Sequence, residues 1–278
     1  MCQYCMTHGQ GQVWYKNAVN YARQMYKLRK RVGAADPRQK ELDPESQAGL
    51  ILAQAVEAKT IDPQRYPELK RLANRLVLQT AVGQAITLQE AMDIVDLASP
   101  IALMSCVCRK MTRGKVEDNE DAYTCMGLGI GMFKWDRWPE RYKGGVVFVT
   151  PEQAREWLKK WNRKGMMHSI MTHGTPYIGG ICNCDYPDCL AIRYRLDYGI
   201  NQMVKGHWVA KVDYDKCNGC GICVGRCQFG AVKLEVTTGK TNIDMMRCFG
   251  CGLCETGCKR QAVTMVERAG LPGMRGVW

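Results

Sequence analysis

The sequence predicts an α+β chain: a helical N-terminal region with a small mixed domain, followed by a C-terminal module of two pseudo-two-fold halves. Three observations carry that expectation. One cysteine pattern is written twice near the C-terminus, capped and helically periodic segments fill the first hundred residues, and short apolar runs between them deliver the chain to two C-x-C pairs. The 278 residues divide accordingly into 1–44, a basic helix and connection; 45–205, a helical and α+β domain; and 206–278, the repeat module.

Residues 12–31 read as a basic amphipathic helix, with Trp14, Ala18, Tyr21, Ala22, Met25 and Tyr26 at helical spacing. The stripe packs on the chain's own core or on a partner subunit; the competing reading is a helix lying on a membrane surface. Asp36-Pro37 and Asp43-Pro44 break the chain twice, so 33–44 is a connection. Helices follow at 45–58, 66–80 and 88–98, the last with Thr87 as N-cap and Glu90 completing a capping box. Ile101 to Met104 is a short strand leading to Cys106, and the polar, acidic stretch 112–122 is a loop. Thr150, Pro151 and Gln153 open the clearest helix, which ends before Gly165. Strands at 166–172 and 176–182 form a hairpin around His173 and Gly174, and the second leads to Cys182.

The repeated pattern is Cys217, Cys220, Cys223 and Cys227, then Cys248, Cys251, Cys254 and Cys258, each run spaced x2, x2, x3. A pair of zinc knuckles also uses C-x2-C units, but zinc ribbons separate two such units by a longer gap. Here two quartets carry Gly219, Gly221, Gly250 and Gly252, which let backbone approach a bulky group. The repeat extends past the cysteines, with residues 230–234 matching 261–265 at the same offset.

Residues 209–267 thus resemble a bacterial two-[4Fe-4S] ferredoxin domain. The resemblance implies two [4Fe-4S] clusters with crossed ligation: Cys217, Cys220, Cys223 and Cys258 for one, Cys248, Cys251, Cys254 and Cys227 for the other. One departure stands out. The family usually places proline after the last cysteine of each run, and here those positions are Gln228 and Lys259. A lysine beside a cluster favours its more negative, reduced state.

Eight cysteines remain. Cys106 and Cys108 are followed by Cys125, and Cys182 and Cys184 by Cys189; Cys2 and Cys5 form an N-terminal C-x2-C. C-x-C on a strand or tight turn puts both sulfurs on one side, near enough to meet one metal centre. The order of Ser105 to Arg109, Cys125 to Gly127, Thr150 to Ala154 and Ile181 to Cys184 resembles a group of anaerobe iron–sulfur proteins with CxC and CNC motifs. Many of these are richer in cysteine where this chain has Asp185 to Asp188. The six thiols suit one further four-thiolate cluster with two spare, or two clusters each lacking a fourth ligand that Cys2 or Cys5 completes; zinc and reduced structural thiols are the alternatives. Among His8, His168, His173 and His207, position puts only His173 near this group, and a histidine in a hairpin turn is more often a surface donor than a ligand.

Sixteen cysteines argue against an oxidising compartment. The N-terminus shows no signal-peptide h-region and no run of about 18 apolar residues occurs, so a cytoplasmic, soluble protein with no membrane span is expected. Eight ligating thiolates and two cubanes of charge +2 lower the formal net charge of +12 to about +8. Positive charge is spread along the chain, with one dense run at Lys27, Arg29, Lys30 and Arg31, so other redox subunits or an acidic electron carrier are expected partners and nucleic acid is not. No G-x-G-x-x-G between strand and helix and no Walker A run occurs; Gly127, Gly129 and Gly131 have the wrong spacing.

These features predict an iron–sulfur electron-transfer subunit relaying electrons within a cytoplasmic anaerobic oxidoreductase complex. The alternatives are an oxidoreductase with its own open-coordination Fe–S site, and an Fe–S redox sensor binding nucleic acid. The sequence assigns no catalytic residue.

Overall fold

The computed structural model describes residues 2–21, 44–80, 82–113, 122–129, 132–133, 146–172 and 177–278. A seven-stranded sheet organises the first two thirds of the chain. Its strands are β1 (Gly83–Ile86), β2 (Ile101–Met104), β3 (Cys125–Leu128), β4 (Val146–Val149), β5 (Met167–Thr172), β6 (Ile178–Cys184) and β7 (Met203–Val204). Their spatial order is β4-β2-β3-β6-β5-β1-β7, antiparallel throughout except where β7 joins β1.

Strand alternation gives the sheet two different faces. Ile86, Met126, Ile170 and Ile181 point to one face, where they pack with Ile94 and Leu158 from two helices, Leu88–Val95 and Pro151–Arg163. Both helices begin with the expected capping box, Thr87 with Glu90 and Thr150 with Gln153. The first ends three residues earlier than its periodicity suggests, because the chain must turn at Leu97 to pass Pro100 and enter β2. Ala85, Met167 and Cys184 point to the opposite face, against the helix Leu190–Leu196 and aromatic residues of the C-terminal module. A helical hairpin, Pro44–Ile61 and Tyr66–Thr80, closes its own small core around Ala55, Ala73, Val77 and Ile200.

Three local expectations need correction. The stripe beginning at residue 12 does not start a helix: Trp14–Lys16 is a single 3-10 turn, and helix begins again at Val19. Asn17 intervenes, donating to the His8 carbonyl and accepting from the Val19 N–H, so its side chain competes with helical hydrogen bonding. The rest of that stripe, the basic run Lys27 to Arg31 and the connection from 33 to 43 lie outside the described residues. Cys106 and Cys108 open a helix, Val107–Arg113, that covers the start of the anticipated loop. β6 runs from Ile178 to Cys184, two residues past the expected end at 182, so Cys184 lies within the strand as Cys182 does. The remaining helix at the N-terminus, Gln3–His8, is nucleated by Cys2, whose Sγ accepts the Cys5 N–H.

In the C-terminal module β8 (Trp208–Val212) pairs antiparallel with β11 (Val263–Glu267), and β9 (Val232–Leu234) with β10 (Thr241–Ile243). The internal repeat is written in the backbone. Gly219 and Gly250 have φ of 72° and 77°, and Gly221 and Gly252, at 73° and 74°, start the short helices Ile222–Arg226 and Leu253–Thr256. A Cβ on Gly219 would lie 1.9 Å from the Gly239 carbonyl oxygen and one on Gly250 2.1 Å from that of Trp208, so both positions exclude any side chain.

Candidate metal centres

The two cysteine runs of the module wrap around one shared core. Cys223, Cys248 and Cys254 are buried in it, with Cys227 and Cys258 packed at its edge. The last cysteine of each run is held alike: Cys227 Sγ accepts the Ala231 N–H and Cys258 Sγ the Ala262 N–H, both at 3.3 Å. Burial pushes the Cys251 thiol up to about 12, and negative charge on Cys248 and on Cys227 adds to the effect. Cys254 is raised by burial and then by Cys251, Cys248 and Cys227. Cys223 of the first run acts on Cys254 as well, so both runs lie within electrostatic reach of each other. Burial makes the ionised form of these thiols costly, so holding them as thiolates takes a cation or a cationic cluster among them. Cys220 is exposed, whereas Cys248 and Cys254 are buried, so one end of the module meets solvent and the other faces the sheet.

On the sheet, Cys106, Cys108, Cys125, Cys182, Cys184 and Cys189 line a single cavity. Cys125 and Cys182 stand opposite each other on β3 and β6. Cys184 lies two residues along on the same face, with Ser169 Oγ 3.5 Å from its sulfur. Cys106 sits at the start of one helix, where Arg109 N–H donates to its Sγ at 3.4 Å, and Cys189 is the N-cap of the helix Leu190–Leu196. The sulfurs are near enough to shift one another's ionisation in a chain. Cys106 is influenced by Cys108 and Cys125, Cys125 by Cys182, and Cys184 by Cys182 and Cys189. Within it Cys106 and Cys184 are driven toward thiolate by their sulfur neighbours, and Cys108 and Cys189 are held as thiols by theirs. This donor set, six soft sulfurs, suits iron–sulfur or zinc ligation and not an oxygen-seeking cation.

Arg109 fixes the loop that closes this cavity. Its buried guanidinium donates to Asp185 Oδ1 at 2.7 Å and pairs with Asp188 Oδ2 at 3.1 Å, while Arg113 Nε donates to Asp188 Oδ1 at 2.9 Å. Thr112 Oγ1 donates to the Asp188 carbonyl at 2.9 Å.

The sheet cavity and the module meet directly. Cys184, Cys189, Phe229, Phe249 and Leu253 share one core, with Cys182, Cys227 and Cys251 packed against it. Phe229 and Phe249 stack with centroids 3.9 Å apart. Gln228, immediately after Cys227, bridges the two: Nε2 donates to the carbonyls of Cys184 at 3.1 Å and Gly165 at 2.9 Å, and Oε1 accepts the Tyr186 N–H at 3.0 Å. Sequence reasoning flagged this residue only as a missing proline.

Cys2 and Cys5 do not line the sheet cavity. They are buried together, and Cys5 Sγ lies 3.1 Å from His207 Nε2. His173 lies outside the described residues. His207 had no local signal, since its partners are about two hundred residues away.

Among known protein families, residues 210–233 match the 4Fe-4S binding domain. No curated protein matches the chain. The C-terminal part therefore carries a ferredoxin-type iron–sulfur domain that binds a [4Fe-4S] cluster and serves iron–sulfur electron transfer. Among the described residues no helix is long and apolar enough to cross a membrane.

Proposed function

We propose that this chain is an iron–sulfur electron-transfer subunit of a cytoplasmic anaerobic oxidoreductase complex, with residues 206–278 as a two-cluster module and 45–205 as a domain holding a further centre. The observation that carries the reading is the common core of Cys184, Cys189, Cys227 and Cys251, bridged by Gln228. A covalent and hydrogen-bonded path leads from Cys227 through Gln228 to Cys184. In this assignment Cys217, Cys220, Cys223 and Cys258 hold the cluster nearer solvent, and Cys248, Cys251, Cys254 and Cys227 the one nearer the sheet. Cys106, Cys108, Cys125, Cys182, Cys184 and Cys189 hold the third centre; because the six share one cavity, a single iron–sulfur centre fits them better than two separate ones. Bound clusters supply one-electron chemistry, and the protein supplies spacing, potential and docking surface. An acidic carrier or another redox subunit docks at the exposed Cys220 end, and a catalytic subunit at the sheet.

Iron quantitation on anaerobically purified full-length protein tests this. About twelve irons per chain are expected, and Cys108→Ala combined with Cys184→Ala should remove about four while leaving the ferredoxin EPR signals intact. About eight irons, unchanged in the double variant, would leave a two-cluster ferredoxin with a helical docking domain.

A further inference from the structure

We propose that Cys2, Cys5 and His207 form a mononuclear zinc site, distinct from every iron–sulfur ligand set. The three donor atoms lie within 4.8 Å of one another, with 3.2 Å between the two sulfurs and 3.1 Å from Cys5 Sγ to His207 Nε2. Around zinc with Zn–S near 2.3 Å, tetrahedral sulfurs stand about 3.8 Å apart, so the site closes on an ion with shifts under about 1 Å. Two thiolates and one imidazole are a borderline-soft set that zinc prefers, and three protein donors leave a tetrahedral ion one position for a solvent ligand.

The imidazole is oriented for ligation from behind. Tyr15 Oη donates to Glu90 Oε1 at 2.7 Å and lies 2.8 Å from His207 Nδ1. Because the phenolic hydrogen goes to the carboxylate, Nδ1 carries the ring proton and donates to Tyr15 Oη. The Nε2 lone pair then faces Cys5, where the ion would sit. Glu90 is itself fixed, since its Oε2 accepts Thr87 N–H at 2.9 Å in the capping box. Both Tyr15 and Glu90 are buried, and the rings of Tyr15 and Trp278 each pack 5.4 Å from the imidazole. A carboxylate–tyrosine–histidine relay aimed at two thiols is the outer-shell arrangement that raises ligand basicity at metal sites.

His207 lies on the link between β7 and β8, and its carbonyl accepts Arg268 N–H at 2.7 Å. An ion here would staple the N-terminal helix Gln3–His8 to the entrance of the ferredoxin-type domain.

Elemental analysis and zinc K-edge X-ray absorption on the anaerobically purified full-length holoprotein test this independently of the electron-relay reading. About one zinc per chain is expected, with two Zn–S near 2.3 Å and one Zn–N near 2.0 Å. Cys5→Ser and His207→Gln should each lower zinc retention at least about tenfold with iron content unchanged. Tyr15→Phe keeps all three donors yet removes the acceptor for Nδ1, and should make zinc loss to a chelator about 10–100-fold easier. Absence of zinc, zinc without an imidazole shell, loss of iron from Cys5→Ser, or a Cys2–Cys5 disulfide in zinc-free native protein would each overturn the assignment.

Discussion

Gln228 is where the proposed relay is most open to attack. Alanine at this position removes three hydrogen bonds that join the cluster loop to the sheet, those to Gly165, Cys184 and Tyr186. At about 0.5–1.5 kcal/mol net for each bond, the loss is about 1.5–4.5 kcal/mol, toward the lower end because the side chain is only half-buried. The internal repeat supplies the control. Lys259 occupies the matching place in the second run and is exposed, so Lys259→Ala should change stability by less than about 0.5 kcal/mol. Thermal unfolding of the anaerobic holoproteins should place Gln228→Ala several degrees below both wild type and Lys259→Ala. Rapid-freeze EPR after a pulse of reductant should show slower electron arrival at the sheet centre in Gln228→Ala alone. Equal melting and equal transfer in the two variants would refute the idea that Gln228 couples the sites.

Other outcomes follow from the same geometry. Cys227→Ser should perturb the EPR signal of the cluster bound by Cys248, Cys251 and Cys254, and a change confined to the cluster at Cys217 to Cys223 would reject crossed ligation. If docking is steered by the chain's positive charge, the electron-transfer on-rate should fall steeply as salt rises past about 0.1 M, and a salt-indifferent rate would favour a permanent assembly. His168 is held neutral by burial, its pKa lowered to about 4 despite the bond to Asn183, so the unfolded chain takes up the proton first and stability is lost as pH falls from 6.5 toward 4. Between pH 7 and pH 5 the loss is about 2 kcal/mol, so the melting temperature of wild type should drop more over that interval than that of His168→Gln; equal drops would remove His168 from the account.

What the sequence disclosed and what it hid divide along the range of the interactions. The caps at Thr87 and Thr150 are local hydrogen-bonding chemistry and are legible in four residues. The glycines beside the cysteine runs are legible for the same reason, each being tied to one positive φ. By contrast β1, Gly-Gln-Ala-Ile at 83–86, has neither strand composition nor alternation, and becomes a strand because β5 and β7 flank it. The pairing of Cys2 and Cys5 with His207 depends on Trp14 and Tyr15 being buried near the start of the chain. Trp14 belongs to the apolar stripe legible in the sequence, but Tyr15 does not, and the local conformation is not legible because Asn17 redirects the backbone.

The loop beside the sheet cavity is held by ion pairs. Between Cys184 and Cys189 the chain carries Asp185 and Asp188, which pair with Arg109 and Arg113. Two carboxylates against two guanidiniums add no net charge beside the thiols, whereas extra thiolates would add negative charge requiring more metal. Burial raises the Asp185 carboxyl even though Arg109 pulls it down, so the desolvation cost of this clamp is not fully offset by its ion pair. What the clamp contributes instead is position. Arg109 directly follows Cys108, and Asp185 and Asp188 flank the turn between Cys184 and Cys189, so one guanidinium holds together the two segments that bring four of the six sulfurs into the cavity. The placing of these sulfurs is set by an ion-paired loop, and Gln228, bonded to Tyr186 within that loop, ties it to the residue beside Cys227.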